Sequence, residues 1–82
     1  MSSDSDDLAT VLRAADRKVL GAEFARNVGD IHTAARMDDE AVALYAKALN
    51  LDPMRRHHAW RDAETRDRSW LDRHGLGVIP GP

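Results

Sequence analysis

Two adjacent histidines, His57 and His58, are the residues in this chain whose chemistry first asks for an explanation. Imidazole binds metals and titrates near neutral pH. Successive helical residues diverge by about 100°, whereas two helical ligands to one ion need a spacing of four. His58 and Asp62 have that spacing but give only two ligands. The histidines therefore read as solvated or capping groups, with no metal expected. Ser69 has no evident catalytic partner, and the chain holds no nucleophile–base pair, glycine-rich phosphate loop or helical His-Glu zinc motif. The expectation is a non-enzymatic protein without catalytic, cofactor-binding or metal residues and without a small-molecule substrate.

Arginine beside tryptophan is the other chemically suggestive pattern. Between Met54 and His74 lie Arg55, Arg56, Arg61, Arg66, Arg68 and Arg73, together with Trp60 and Trp70. Such a set suits an interface hot spot or a single-stranded nucleic-acid groove. Asp62, Glu64, Asp67 and Asp72 interleave with the arginines and reduce the local charge to +2. Ion pairs at spacings of three or four account for much of this pattern. Trp60 and Trp70 read either as partner-binding anchors or as core or self-packing side chains. A nucleic-acid-associated regulator using this Arg/Trp face is the alternative.

These residues must be positioned by a small scaffold. The chain has 82 residues, no cysteine, 32% charged and 5% aromatic residues, and a net charge of −2. That composition suits one surface-rich helical domain, and the charge gives no global attraction to nucleic acid or membrane. No apolar run approaches the roughly 20 residues of a membrane span. The polar, acidic start does not resemble a secretory signal. A cytoplasmic protein is the resulting expectation. A core this small rarely supplies more than about 3–5 kcal/mol without help, and disulfides are excluded, so a partner or self-association is expected.

Four helices are predicted, over about 6–20, 22–35, 39–51 and 54–74, with a lead-in at 1–5 and a tail at 76–82. Ser3 with Asp6 gives a capping signal, and Leu8, Val11, Leu12, Ala15 and Val19 share one face. A second apolar series, Leu20, Phe24, Val28, Ile31 and Ala35, is rotated from the first. Either the helix breaks near Gly21, or one continuous helix carries two stripes. Gly29 is read as a mid-helix glycine that lets a neighbour approach closely. His32 is expected between helices. Residues Arg36 to Asp39 read as a turn, with Asp38 capping the third helix. Ala41, Val42, Leu44, Tyr45, Ala48, Leu49 and Leu51 form that helix's apolar face. Asp52-Pro53 ends it and Pro53 opens the fourth. His74-Gly75-Leu76 fits a glycine-terminated end with an apolar residue folding back.

Within Ala22–Pro53, Val28-Gly29 precedes His32, Ala41 precedes Tyr45 by four, Ala48-Leu49 follows, and Leu51-Asp52-Pro53 closes the run. This order resembles one tetratricopeptide repeat. The second half matches best, through Glu40-Ala41, Tyr45, Lys47-Ala48-Leu49 and Leu51-Asp52-Pro53. Ala25, His32 and Asp38 stand where the family has aromatics, which implies a thinner interface within the hairpin. Val11, Ala14 and Ala15 suggest a degenerate half repeat before it, and the fourth helix resembles a capping helix.

The resemblance implies an all-α fold, a TPR-like hairpin with flanking helices. Its peptide-binding face maps onto Glu23, Arg26, Asn27, Asp30, Thr33 and Ala34. Asn27 matches an asparagine that holds peptide backbone or a terminal carboxylate in some members. The accompanying lysines are replaced by Glu23 and Ala34, which argues against carboxylate capture. The predicted function is a protein–protein interaction module (adaptor, regulator or assembly subunit), binding a protein partner or itself as a homo-oligomer. Phe24, Tyr45, Trp60 and Trp70 are its expected anchors.

Overall fold

The chain folds around a helical hairpin, seen here in a computed structural model that describes residues 7–77. The predicted cap at Ser3, the lead-in at 1–5 and most of the tail lie outside those residues. Among the described residues the fold is all-α with four helices and no strand. Helix α1 spans Leu8–Asn27 and α2 spans Ile31–Leu51; they pack on each other as the hairpin. Helix α3, His58–Arg66, packs on α1, and the short α4, Arg68–Arg73, follows it.

The hairpin's boundaries differ from the sequence expectation. Helix α1 passes unbroken through Gly21, so the first apolar series and the start of the second share one helix, while the second runs on through the turn into α2. Leu8, Val11, Leu12, Ala15, Val19, Ala22 and Ala25 face inward, whereas Leu20, Phe24, Val28, Ile31 and Ala35 lie outside. The predicted turn at Arg36–Asp39 is helix. The chain reverses instead at Gly29, whose φ of 84° is strained for any residue with a Cβ. Asp30 then caps α2: its carboxylate accepts from the Thr33 amide at 3.2 Å and from the Thr33 hydroxyl at 2.7 Å. The two glycines thus exchange their expected roles. Gly29 makes the turn. Gly21 is where the helices touch, because a Cβ there would lie 2.5 Å from Met37 Sδ.

The Ala22–Pro53 segment therefore forms no hairpin of its own; its first residues complete α1 and the remainder builds the turn and α2. Small residues at the helix–helix contact behave as expected, with Ala41 and Ala48 fully buried. Asp52 ends α2 as predicted. Pro53 does not open a helix. Arg55 adopts φ 54°, and the Asp52 carboxylate accepts from the His57 amide at 2.7 Å, holding a loop closed until α3 begins.

The predicted fourth helix is two segments bent at Asp67, although amide bonds from Asp67 to Ala63 and from Leu71 to Asp67 carry across the bend. Gly75, at φ 73°, terminates α4. The Gly75 amide returns to Asp72 and the Leu76 amide to Leu71, and Leu76 packs onto the core, as the sequence predicts. That core joins Leu8, Val11, Leu12, Ala15 and Val19 of α1 to Ala41, Tyr45 and Ala48 of α2. Trp60, Ala63, Trp70 and Leu71 cover them from α3 and α4.

Candidate protein-interaction surface

Tyr45 sits between the two tryptophans, with ring centroids 6.1 Å from Trp60 and 5.6 Å from Trp70. All three are at most 1% exposed. The aromatic anchors expected at a partner interface are thus the centre of this protein's own core, and Trp60 and Trp70 have no free face to offer. Trp60 and Trp70 sit on the faces with which α3 and α4 cover the hairpin, in one cluster with the small Ala41, Ala48 and Ala63.

The polar heads of these aromatics organise the interior. The Tyr45 hydroxyl donates to the Asp67 carboxylate at 2.7 Å. Asp67 is the buried polar residue of the core, at 5% exposure. Burial pushes its carboxyl up to about 6; the facing Asp16 adds to the rise, while the Tyr45 hydrogen bond and Arg66 oppose it. Burial, with Asp67 second, raises the Tyr45 hydroxyl. Arg66 reaches the Asp16 carboxylate at 3.5 Å from α3, so this cluster ties α1, α2 and α3 together.

A second cluster gathers around Asp38. Its carboxylate accepts from the Trp70 indole Nε1 at 2.9 Å and from the Arg26 guanidinium at 2.6 Å. The His74 ring stacks on Trp70 at 4.0 Å, and its Nδ1 donates to the Trp70 carbonyl. Asp38 therefore links both long helices to α4 rather than capping a helix. The Trp60 indole nitrogen, by contrast, is buried with no hydrogen-bond partner.

Exposed apolar side chains gather at the turn end, and Leu51 and Met54 are open as well at and just past the other end of α2. Leu20, Phe24, Val28 and Ile31 are 56%, 69%, 62% and 71% exposed. Leu20 and Phe24 lie four apart on the outer face of α1, Val28 follows four on as its C-cap, and Ile31 begins α2 just beyond the turn. The residues expected to bind a partner by family resemblance collect around this stripe. Glu23, Arg26 and Asn27 lie on the last turns of α1, and Asp30 and Thr33 start α2. Glu23 pairs with Arg73 at 3.8 Å, and Arg26 with Asp38. Asp30 and Thr33 are joined in the cap, whose hydrogen bonds hold the Asp30 carboxyl below its ordinary value. Asn27 is exposed. His32, expected between helices, is exposed as well, because α2 turns that side toward solvent.

The exposed stripe was present in the sequence as an apolar series, but helical periodicity alone marks a face without saying whether it is covered. The arginines of the C-terminal half are less available than their number suggests. Arg55 pairs with Glu64 at 3.3 Å, donates to the Leu76 and Gly77 carbonyls and lies over the Trp60 ring at 5.0 Å. A cleft of about 270 Å³ along α3 and α4 is lined by Arg61 and Arg68 together with Glu64 and Asp72, so charge of both signs meets there. His57 accepts from the Ala59 amide through Nδ1, capping α3, and stacks on His58 at 4.4 Å. Among the described residues no three His, Cys, Asp or Glu side chains converge to hold a metal, and no helix is long and apolar enough to cross a membrane. Comparison with protein families, curated proteins and solved structures finds no match to this chain.

Proposed function

We propose that this chain is a small non-enzymatic interaction module of the cytoplasm that docks a protein through the turn end of its α1–α2 hairpin. The observation that carries this reading is the run Leu20, Phe24, Val28 and Ile31, each more than half exposed, on a protein whose other large aromatics are enclosed. A contiguous apolar patch of a few hundred Å², rimmed by polar residues, marks an interaction site more often than chance exposure does. Glu23, Arg26, Asn27, Asp30 and Thr33 supply such a rim. The tetratricopeptide-like residues between Ala22 and Pro53 support the same mode of binding, helix face against helix face.

Several side chains capable of other chemistry are occupied structurally. His57 caps a helix, His74 stacks on Trp70, and Asp67 is bonded within the core. Nucleic-acid binding through the Arg/Trp face has less support. Both indoles are buried, and Arg55, Arg66 and Arg73 are already paired with acids.

Affinity capture from the source cell tests the proposal, using the wild-type chain beside Phe24→Asp and Ile31→Asp. Both residues are exposed, so the variants should fold normally. Proteins retained by the wild type and lost from both variants are the expected result. Equal retention by all three would overturn it.

A further inference from the structure

We infer that the occupant of this surface is a second copy of the chain, with two α1 helices packed antiparallel across a two-fold axis. The inference rests on the reading of the hairpin end as a protein-binding face, and it names the partner. Arg13, Arg17, Leu20, Phe24 and Val28 follow at spacings of four, three, four and four, and all five are exposed. They form a single outward stripe about 100° wide.

Charge along that stripe is polarised. Arg13 and Arg17 make no ion pair among the described residues. Past the opposite end, across the turn, stands the exposed Asp30, whose carboxylate accepts from the Thr33 amide and hydroxyl. From Arg13 to the end of α1 at Asn27 is about 21 Å at helical rise, and Asp30 follows just across the turn. A parallel neighbour would set arginine against arginine. An antiparallel copy, related by an axis midway between Leu20 and Phe24, sets Leu20 of each copy on Phe24 of the other. Arg13 and Arg17 then bracket Asp30 of the second copy at both ends. The stripe is thus complementary to itself in one orientation, which an isologous two-fold contact requires.

The size is consistent with this. Leu20, Phe24, Val28 and Ile31 leave on the order of 400 Å² of apolar side chain open on each copy. With the surrounding arginines, Asn27 and Asp30, the contact approaches the roughly 800 Å² per partner of a standard interface. Pairing also removes from water the apolar surface that an 82-residue core leaves uncovered.

Sedimentation velocity on the full purified chain, from low micromolar upward, is the test. The wild type should reach dimer mass, and Phe24→Asp should weaken association at least about tenfold, as loss of a central aromatic does. The charge arrangement has its own variants. An Arg13→Glu/Arg17→Glu chain and an Asp30→Lys chain should each be monomeric, and a one-to-one mixture should recover dimer mass. Recovery also shows that both variants are folded, and circular dichroism checks each alone. A wild type that stays monomeric at several hundred micromolar would overturn the inference. So would two folded charge variants whose mixture fails to associate. A monomer that still captures a foreign protein through Phe24 would sink self-pairing while leaving the interaction surface intact. A dimer indifferent to Phe24→Asp would overturn the self-pairing contact, and affinity capture with that variant decides separately whether the face has any other use.

Discussion

The hydroxyl of Tyr45 donates to the carboxylate of Asp67 at 2.7 Å in the middle of the core, where the two predicted anchors Trp60 and Trp70 flank the phenol ring. Asp67 is also where the third and fourth helices bend. Removing the donor with Tyr45→Phe keeps the ring and leaves a buried carboxyl short of a partner. A hydrogen bond to a charged group is worth about 1.5–3 kcal/mol, and urea unfolding near neutral pH should show a loss of that order.

Burial holds the Asp67 carboxyl at about 6 against an ordinary value of 3.8, so between those limits the folded chain binds more protons than the unfolded one. Stability should therefore rise as pH falls through 6 toward 4, with a slope of at most about 1.4 kcal/mol per pH unit. Asp30 and Glu40 act in the opposite sense. Hydrogen bonds from Thr33 and Lys18 lower their carboxyls from 3.8 and 4.5, so their contribution is lost under more acid conditions. The expected profile has a maximum between these windows. Asp67→Asn, able to accept from Tyr45 without a charge to bury, should flatten the rise. A wild-type profile that falls steadily from pH 7 to 5 would refute this.

The two tryptophans should respond unequally to the same change. Trp70 Nε1 donates to Asp38 at 2.9 Å, whereas Trp60 Nε1 is buried without a partner. Both Trp→Phe substitutions open similar space, but only Trp70→Phe also strands an acceptor. Trp70→Phe should cost more than Trp60→Phe by about 1 kcal/mol, measured by thermal or urea unfolding.

Two glycine substitutions separate turn from contact. At φ 84° and with open space around it, Gly29→Ala meets no clash but must hold a left-handed backbone, which costs roughly 1–2 kcal/mol. Gly21→Leu meets Met37 and forces the helices apart, with a loss of roughly 1–3 kcal/mol as in other overpacked contacts. Gly21→Ala should be milder, because the thioether can swing aside and alanine favours the helix.

Much of this architecture is legible in the residues. The inward series from Leu8 to Val19, the small contacts Ala41 and Ala48, the stop at Asp52-Pro53 and the Gly75-Leu76 terminus all follow from local rules that the structure obeys. The hairpin turn did not, because Gly21, Gly29 and the Arg36–Asp39 segment each offered a plausible break. Only tertiary packing selects between them: Gly21 is used against Met37, and Asp38 is drawn toward Arg26 and Trp70. The fate of the aromatics was hidden for a related reason. Spacing placed Phe24, Trp60 and Trp70 on apolar faces alike, and only the packing of α3 and α4 onto the hairpin encloses the indoles while Phe24 stays outside. The residues from Glu23 to Thr33, expected to face a partner, lie about the turn of a hairpin whose register differs from the expected one.

Because both indoles are enclosed and neither contributes to the open stripe, intrinsic emission in this protein is a gauge of the interior alone. Ligation at the hairpin end should reach it only through Arg26, whose Asp38 partner also holds the Trp70 indole. A shifted wavelength on adding any binder would signal that the inside had rearranged.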